Sequence, residues 1–344
     1  VAGKEEGLSR RQFVGIGVVG AGILAAGGAA WLARSPQETN PFAYDIGPYG
    51  KTDPKLLLYD EVAHIPTGLN RARRIGVGTD ERLYVAGDRA IRIFDKHGQV
   101  LRSVPLDAEV CALHAAQDGR VYVAFDDRIA TFDAEGAPID PGTPLGDKTY
   151  LTSVACQDGI VFAADAGNRE VIRYTLSDKK TARFGRKQPA EEGGFIVPSP
   201  YFDVQVAPDG LLRVANTGRH RIEAYTFDGQ LEEAWGNASM AVEGFCGCCN
   251  PSHFTLLPDG RFVTSEKGLN RIKVYDEHGR FQGVVAGPDQ LVTDPALAQR
   301  ACEDCRIGFA FDVACDAQGR ILALDPCTQS IRIFAPRPSK PQET

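Results

Sequence analysis

The sequence predicts an all-β chain, a six-bladed β-propeller preceded by an N-terminal transmembrane helix. Three observations predict it. An uncharged apolar run stands near the N-terminus, six later segments repeat one pattern of strands and turns, and an orphan strand precedes the first copy.

The N-terminal element covers residues 1–34. Ser9-Arg10-Arg11-Gln12-Phe13-Val14 resembles a twin-arginine export signal, and the run from Phe13 to Ala33 that follows carries no charge. About 20 apolar residues suffice to cross a bilayer. Lys4, Arg10 and Arg11 would hold the N-terminal side in the cytoplasm and place everything after Arg34 outside. The best small-x-small cleavage site, Gly28-x-Ala30, is followed by the bulky Trp31, so the segment reads as a retained anchor with residues 13–33 in the lipid bilayer. Gly15-x-Gly17-x-x-Gly20 matches a dinucleotide fingerprint, yet no strand precedes it and no βαβ unit follows. Signal composition explains these glycines.

Residues 35–55, with Pro36, Pro41, Pro48 and Pro54, read as an extended linker. The repeat domain, residues 56–336, comes next, and residues 337–344 form a C-terminal tail. The clearest copies run from Phe202 to Tyr225 and from Phe254 to Tyr275. Each has an apolar strand, an Asp-Gly turn, a β-rich strand, a polar turn and a strand beginning Arg-Ile. Further copies span Cys111–Phe132, Leu151–Tyr174 and Phe311–Phe334, and a degenerate one spans Ile75–Phe94. Asp-Gly suits a turn needing positive φ, and no single hairpin can bury its own apolar face, so the units must stack around an axis. The last copy stops one strand short. The strand at Leu56–His64 therefore completes the final blade and closes the ring.

Pro208-Asp209-Gly210 and Val214-Ala215-Asn216-Thr217-Gly218-Arg219-His220-Arg221-Ile222 closely resemble the NHL repeat, and the similarity extends over roughly residues 56 to 335. The resemblance implies the propeller fold but not an activity, because such propellers include enzymes, sensors and interaction discs. Composition narrows the classes only slightly. The net charge is -7 with no basic stripe, so nucleic acid is not an expected partner. The short cluster Arg71, Arg73, Arg74 reads as a solvated edge.

Six cysteines carry the functional signal. Cys246, Cys248 and Cys249 fall in the connection entering blade five, Cys302 and Cys305 in the long connection entering blade six, and Cys327 in a turn of blade six. All of these connections emerge on one face of adjacent blades. The Cys-x-x-Cys pairs 246/249 and 302/305 supply four thiolates, enough for zinc or for a four-iron cluster. Cys248 and Cys327 are spare ligands. Disulfides are the ordinary alternative in an exported protein, and free thiols are a third. A cluster is assembled in the cytoplasm, which accounts for an export route used by folded proteins, so iron-sulfur leads and zinc follows. Cys111, Cys156 and Cys315 fall in inner strands and read as buried small hydrophobes. His220 and His253 read as hydrogen-bonding turn residues.

The leading expectation is an electron-transfer subunit on the extracytoplasmic, periplasmic face of a bacterial inner membrane. Its partners would be the subunits of a membrane-embedded redox complex, an arrangement that resembles Rieske-type subunits. The alternatives are a non-catalytic interaction disc with disulfides or zinc at the same cysteines, and a channel-centred hydrolase or lyase using residues such as Asp203, Asn250 and Asp312.

Overall fold

The computed structural model describes residues 47–177, 179–186, 194–294, 296 and 309–338. The predicted anchor, Cys302, Cys305 and most of the C-terminal tail lie outside the described residues. Among the described residues no helix is long and apolar enough to cross a membrane.

Six four-stranded antiparallel sheets make the predicted propeller. Strand β1 (Tyr59–Pro66) stands apart from the first blade. Blade one is β2 (Ala72–Val77), β3 (Leu83–Gly87), β4 (Ala90–Phe94) and β5 (Val100–Pro105). Blade two is β6 (Ala112–Ala115), β7 (Val121–Ala124), β8 (Ile129–Phe132) and β9 (Pro138–Asp140). Blade three is β10 (Leu151–Gln157), β11 (Ile160–Asp165), β12 (Glu170–Thr175) and β13 (Thr181–Phe184). Blade four is β14 (Val204–Val206), β15 (Leu212–Asn216), β16 (Arg221–Tyr225) and β17 (Leu231–Trp235). Blade five is β18 (His253–Leu256), β19 (Phe262–Glu266), β20 (Arg271–Tyr275) and β21 (Phe281–Ala286), followed by the one-turn helix α1 (Pro288–Leu291). Blade six is β22 (Asp312–Cys315), β23 (Ile321–Asp325) and β24 (Ser330–Pro336), and β1 is its outer strand. The ring closes where β1 pairs antiparallel with β24, Tyr59 opposite Pro336 and Pro66 opposite Ser330.

The turns explain why the repeats fold alike. Gly210 and Gly260 sit at φ +78° and +86°, a region that costs glycine nothing. The aspartate before each accepts from the backbone two residues on, Asp209 from Leu211 N at 3.0 Å and Asp259 from Arg261 N at 3.2 Å. Burial then joins neighbours. Each of six apolar clusters spans two adjacent blades; one of them packs Val85 and Phe94 of blade one against Leu322 and Ile331 of blade six. Each large side chain so buried contributes about 1.5–3 kcal/mol.

Two consequences are measurable. A Cβ on Gly87 would lie 2.1 Å from the Arg71 carbonyl oxygen and 2.8 Å from Ala72 Cα, both backbone atoms that cannot swing aside. Gly87→Ala is therefore expected to cost about 1–3 kcal/mol, read as a lowered denaturant midpoint. In β6, burial pushes the His114 imidazole down to about 4. The unfolded chain takes up that proton near pH 6.5 while the folded chain does not, so stability falls as pH drops from 6.5 to 4. The loss is up to about 3 kcal/mol, and His114→Gln should flatten this part of the pH–stability curve.

Candidate functional site

The connection between β17 and β18 makes a tight turn at Cys246-Gly247-Cys248-Cys249-Asn250, held from below and from the side. Glu266, fully buried at the end of β19, accepts from Cys246 N at 2.9 Å. Its other oxygen takes Arg271 Nε at 2.5 Å and Lys273 Nζ at 3.4 Å. Asn250 closes the turn: its amide donates to Cys246 O at 2.7 Å and to Lys267 O at 3.0 Å, while its oxygen accepts from Lys267 N at 2.9 Å. His220 Nε2 donates to Gly247 O at 2.6 Å, the turn role expected of it. Asn250 is thus corrected from a channel candidate to a clamp of the cysteine turn, since its side-chain bonds go to Cys246 in that turn and to Lys267 beside it.

The three thiols differ. Cys246 and Cys249 are buried and Cys248 is exposed. Burial, then the Glu266 carboxylate, push the Cys246 thiol up. The hydrogen bond with Cys249, then burial, raise Cys248. Burial also opposes ionisation of Cys249, yet hydrogen bonds from Ser199, Cys248 and Lys267, with the Lys267 charge, prevail and lower it below an ordinary thiol. Cys248 and Cys249 Sγ are 3.1 Å apart.

Cys327 begins the turn from β23 to β24, its N–H bonded to Asp325 at 2.8 Å. It lines a cavity of about 210 Å³ with Glu61, His64, Asp294 and Arg332. Cys111, Cys156 and Cys315 lie at inner strands as read; Cys111 donates to Asp126 at 3.1 Å and Cys315 to Leu256 O at 2.8 Å.

The channel holds a second constellation, in which the expected channel candidates Asp203 and Asp312 are joined by two residues the sequence did not point to, Arg74 and His253. Arg74 in β2 points to the axis, where every other blade meets it directly or through one neighbour. Its Nε donates to Cys111 O at 2.9 Å, Nη2 to Thr152 O, and Nη1 to Asp312 at 3.2 Å. Nη1 also lies 2.8 Å from His253 Nδ1. The same imidazole nitrogen lies 3.4 Å from Asp203 Oδ2. Asp203 of blade four accepts from Phe254 N at 3.2 Å, and Asp312 accepts from Ile75 N at 2.8 Å. Arg74 is thereby corrected from solvated edge to axial pin, and His253 from turn residue to channel residue. Asp203, His253 and Asp312 offer ligand atoms within 4.8 Å of one another, but the cationic head of Arg74 already bonds two of the three.

No protein-family model and no curated protein matches the chain. Solved structures similar to it include a gluconolactonase from Xanthomonas campestris, with a TM-score of 0.56, 16% identity, and 79% of this chain and 88% of that one covered. A protein of unknown function from Bacteroides thetaiotaomicron gives 0.56 at 14% identity over 80% and 72%. A virginiamycin B lyase from Staphylococcus aureus gives 0.52 at 14% identity over 79% and 82%. At such identities the likeness establishes the fold alone.

Proposed function

We propose that this chain is an NHL-type propeller, exported by a twin-arginine signal and retained at the periplasmic face of the inner membrane. There it carries an iron-sulfur cluster for electron transfer to the subunits of a membrane redox complex. The observation that carries the proposal is the clamped cysteine turn, with Cys249 lowered beside Lys267. A thiolate is the form that ligates metal, and a rigid turn with three cysteines offers two or more sulfurs without further folding.

Cys246 and Cys249 would hold the centre, with Cys248 as a replacement. Cys302 and Cys305 would complete it, and Cys327 is the spare on blade six. Phe309, just before β22, is tied to blade five, for its carbonyl accepts from Asn270 Nδ2 at 3.3 Å. When bound, the cluster supplies one-electron redox chemistry; the protein's part is to orient the thiolates, exclude water around Cys246 and Cys249, and set the local charge through Lys267.

A channel hydrolase finds less support. Arg74 lies on the axis and spends its donors on two blade carbonyls, a carboxylate and an imidazole, so its cationic head holds the groups, Asp312 and His253, that a catalytic cation would need.

Protein purified anaerobically after expression with its own leader tests the proposal. Broad visible absorption that bleaches on reduction, with a paramagnetic signal, is expected. Colourless, well-folded protein without a signal in either redox state would sink it.

A further inference from the structure

A cavity of about 280 Å³ lies at the channel mouth, with Arg74 in its lining. Arg71, Arg73, Tyr150, Tyr201 and Phe309 also line it, and among the described residues no aspartate or glutamate does. That is unexpected in a chain of net charge -7. The cavity approaches the lower end of small-molecule sites, about 300–1,000 Å³, so it has room for an organic molecule and not merely an ion.

The donors around it are unequally committed. Arg74 is spent on the pin, and Gln329 bonds Ala72 N and Pro326 O at 2.6 Å each. Arg73 pairs with Glu109 at 3.5 Å, and both side chains are substantially exposed. Arg71 is exposed and its guanidinium has no partner among the described residues; nor has the Tyr150 hydroxyl. Two guanidinium forks and a phenol on a concave space with no carboxylate in its described lining form an anion receptor, because a fork matches a carboxylate with two parallel bonds. Low-dielectric walls strengthen the attraction. The aromatic rings supply apolar walls.

We infer that the channel mouth binds a small planar organic dianion bearing two carboxylates, one for each of Arg71 and Arg73. The inference stands independently of any metal at the cysteines, although the two sites share a wall: Lys267 lies 4.8 Å over the Tyr201 ring and 3.2 Å from Ser199 Oγ.

Isothermal titration with phthalate, benzoate and phthalamide tests it on the full chain. Phthalate should bind, benzoate about tenfold or more weaker, and neutral phthalamide not at all. Arg71→Gln and Arg73→Gln should each weaken phthalate about ten- to a hundredfold with the melting temperature of the unliganded protein unchanged, since both side chains are solvent-accessible. Absence of phthalate binding at millimolar concentration would overturn the inference. So would equal binding of phthalamide, or phthalate affinity unchanged in both variants.

Discussion

Arg74→Met is expected to destabilise the propeller by about 3–5 kcal/mol, the usual result of removing one partner from a buried charged network. The methionine would roughly fill the volume, so the loss would report electrostatics and hydrogen bonding and not a cavity. Without the guanidinium, Asp312 keeps the Ile75 N–H but loses its cationic partner, and the carbonyls of Cys111 and Thr152 lose their axial donor. For a domain of this size the melting temperature should fall by roughly 10 °C. Arg74→Lys keeps the charge but has no fork, and should fall between wild type and Met. A shift under about 1 kcal/mol for Met would mean that the six blades do not rely on the pin.

Cys249→Ser is expected to abolish loading of the proposed centre while leaving the propeller folded. Of the turn's three cysteines it alone has its thiol lowered. Serine keeps the volume and the hydrogen bonding but ionises far too weakly to replace a thiolate. Cys156→Ser, in the inner strand of blade three, should leave loading intact. Equal metal content in the two variants would remove Cys249 from the site.

The ring itself was legible because each blade repeats a local signal. Asp209-Gly210 and Asp259-Gly260 announce turns by backbone chemistry, and the strand before the first copy had no partner except the open edge of the last. The channel was legible only in part: Asp203 and Asp312 stood out as channel carboxylates, but Arg74 and His253 did not. Arg74 stands beside Arg71 and Arg73, and a run of arginines looks like a wetted edge until the bulge between Ala72 and Arg74 sets which side chain meets the axis. Its partners Cys111, Thr152, His253 and Asp312 lie 37 to 238 residues away, too far for any local pattern to pair them. Asn250 was misplaced for the opposite reason: its bonds are local, to Cys246 and Lys267, but an isolated asparagine does not show which carbonyl it caps. The cysteine turn was legible as a motif, whereas the inequality of its thiols arises from Glu266 and Lys267 on a neighbouring strand and turn.

The central claim is that the thiolates of the blade-five turn grip an inorganic centre, and quantifying iron and acid-labile sulfide in anaerobically purified protein tests it most directly. About four of each per chain is the predicted result, falling to trace in Cys249→Ser. Wild-type protein with only trace transition metal, and with these cysteines either all open to alkylation or all locked in disulfides, would contradict it.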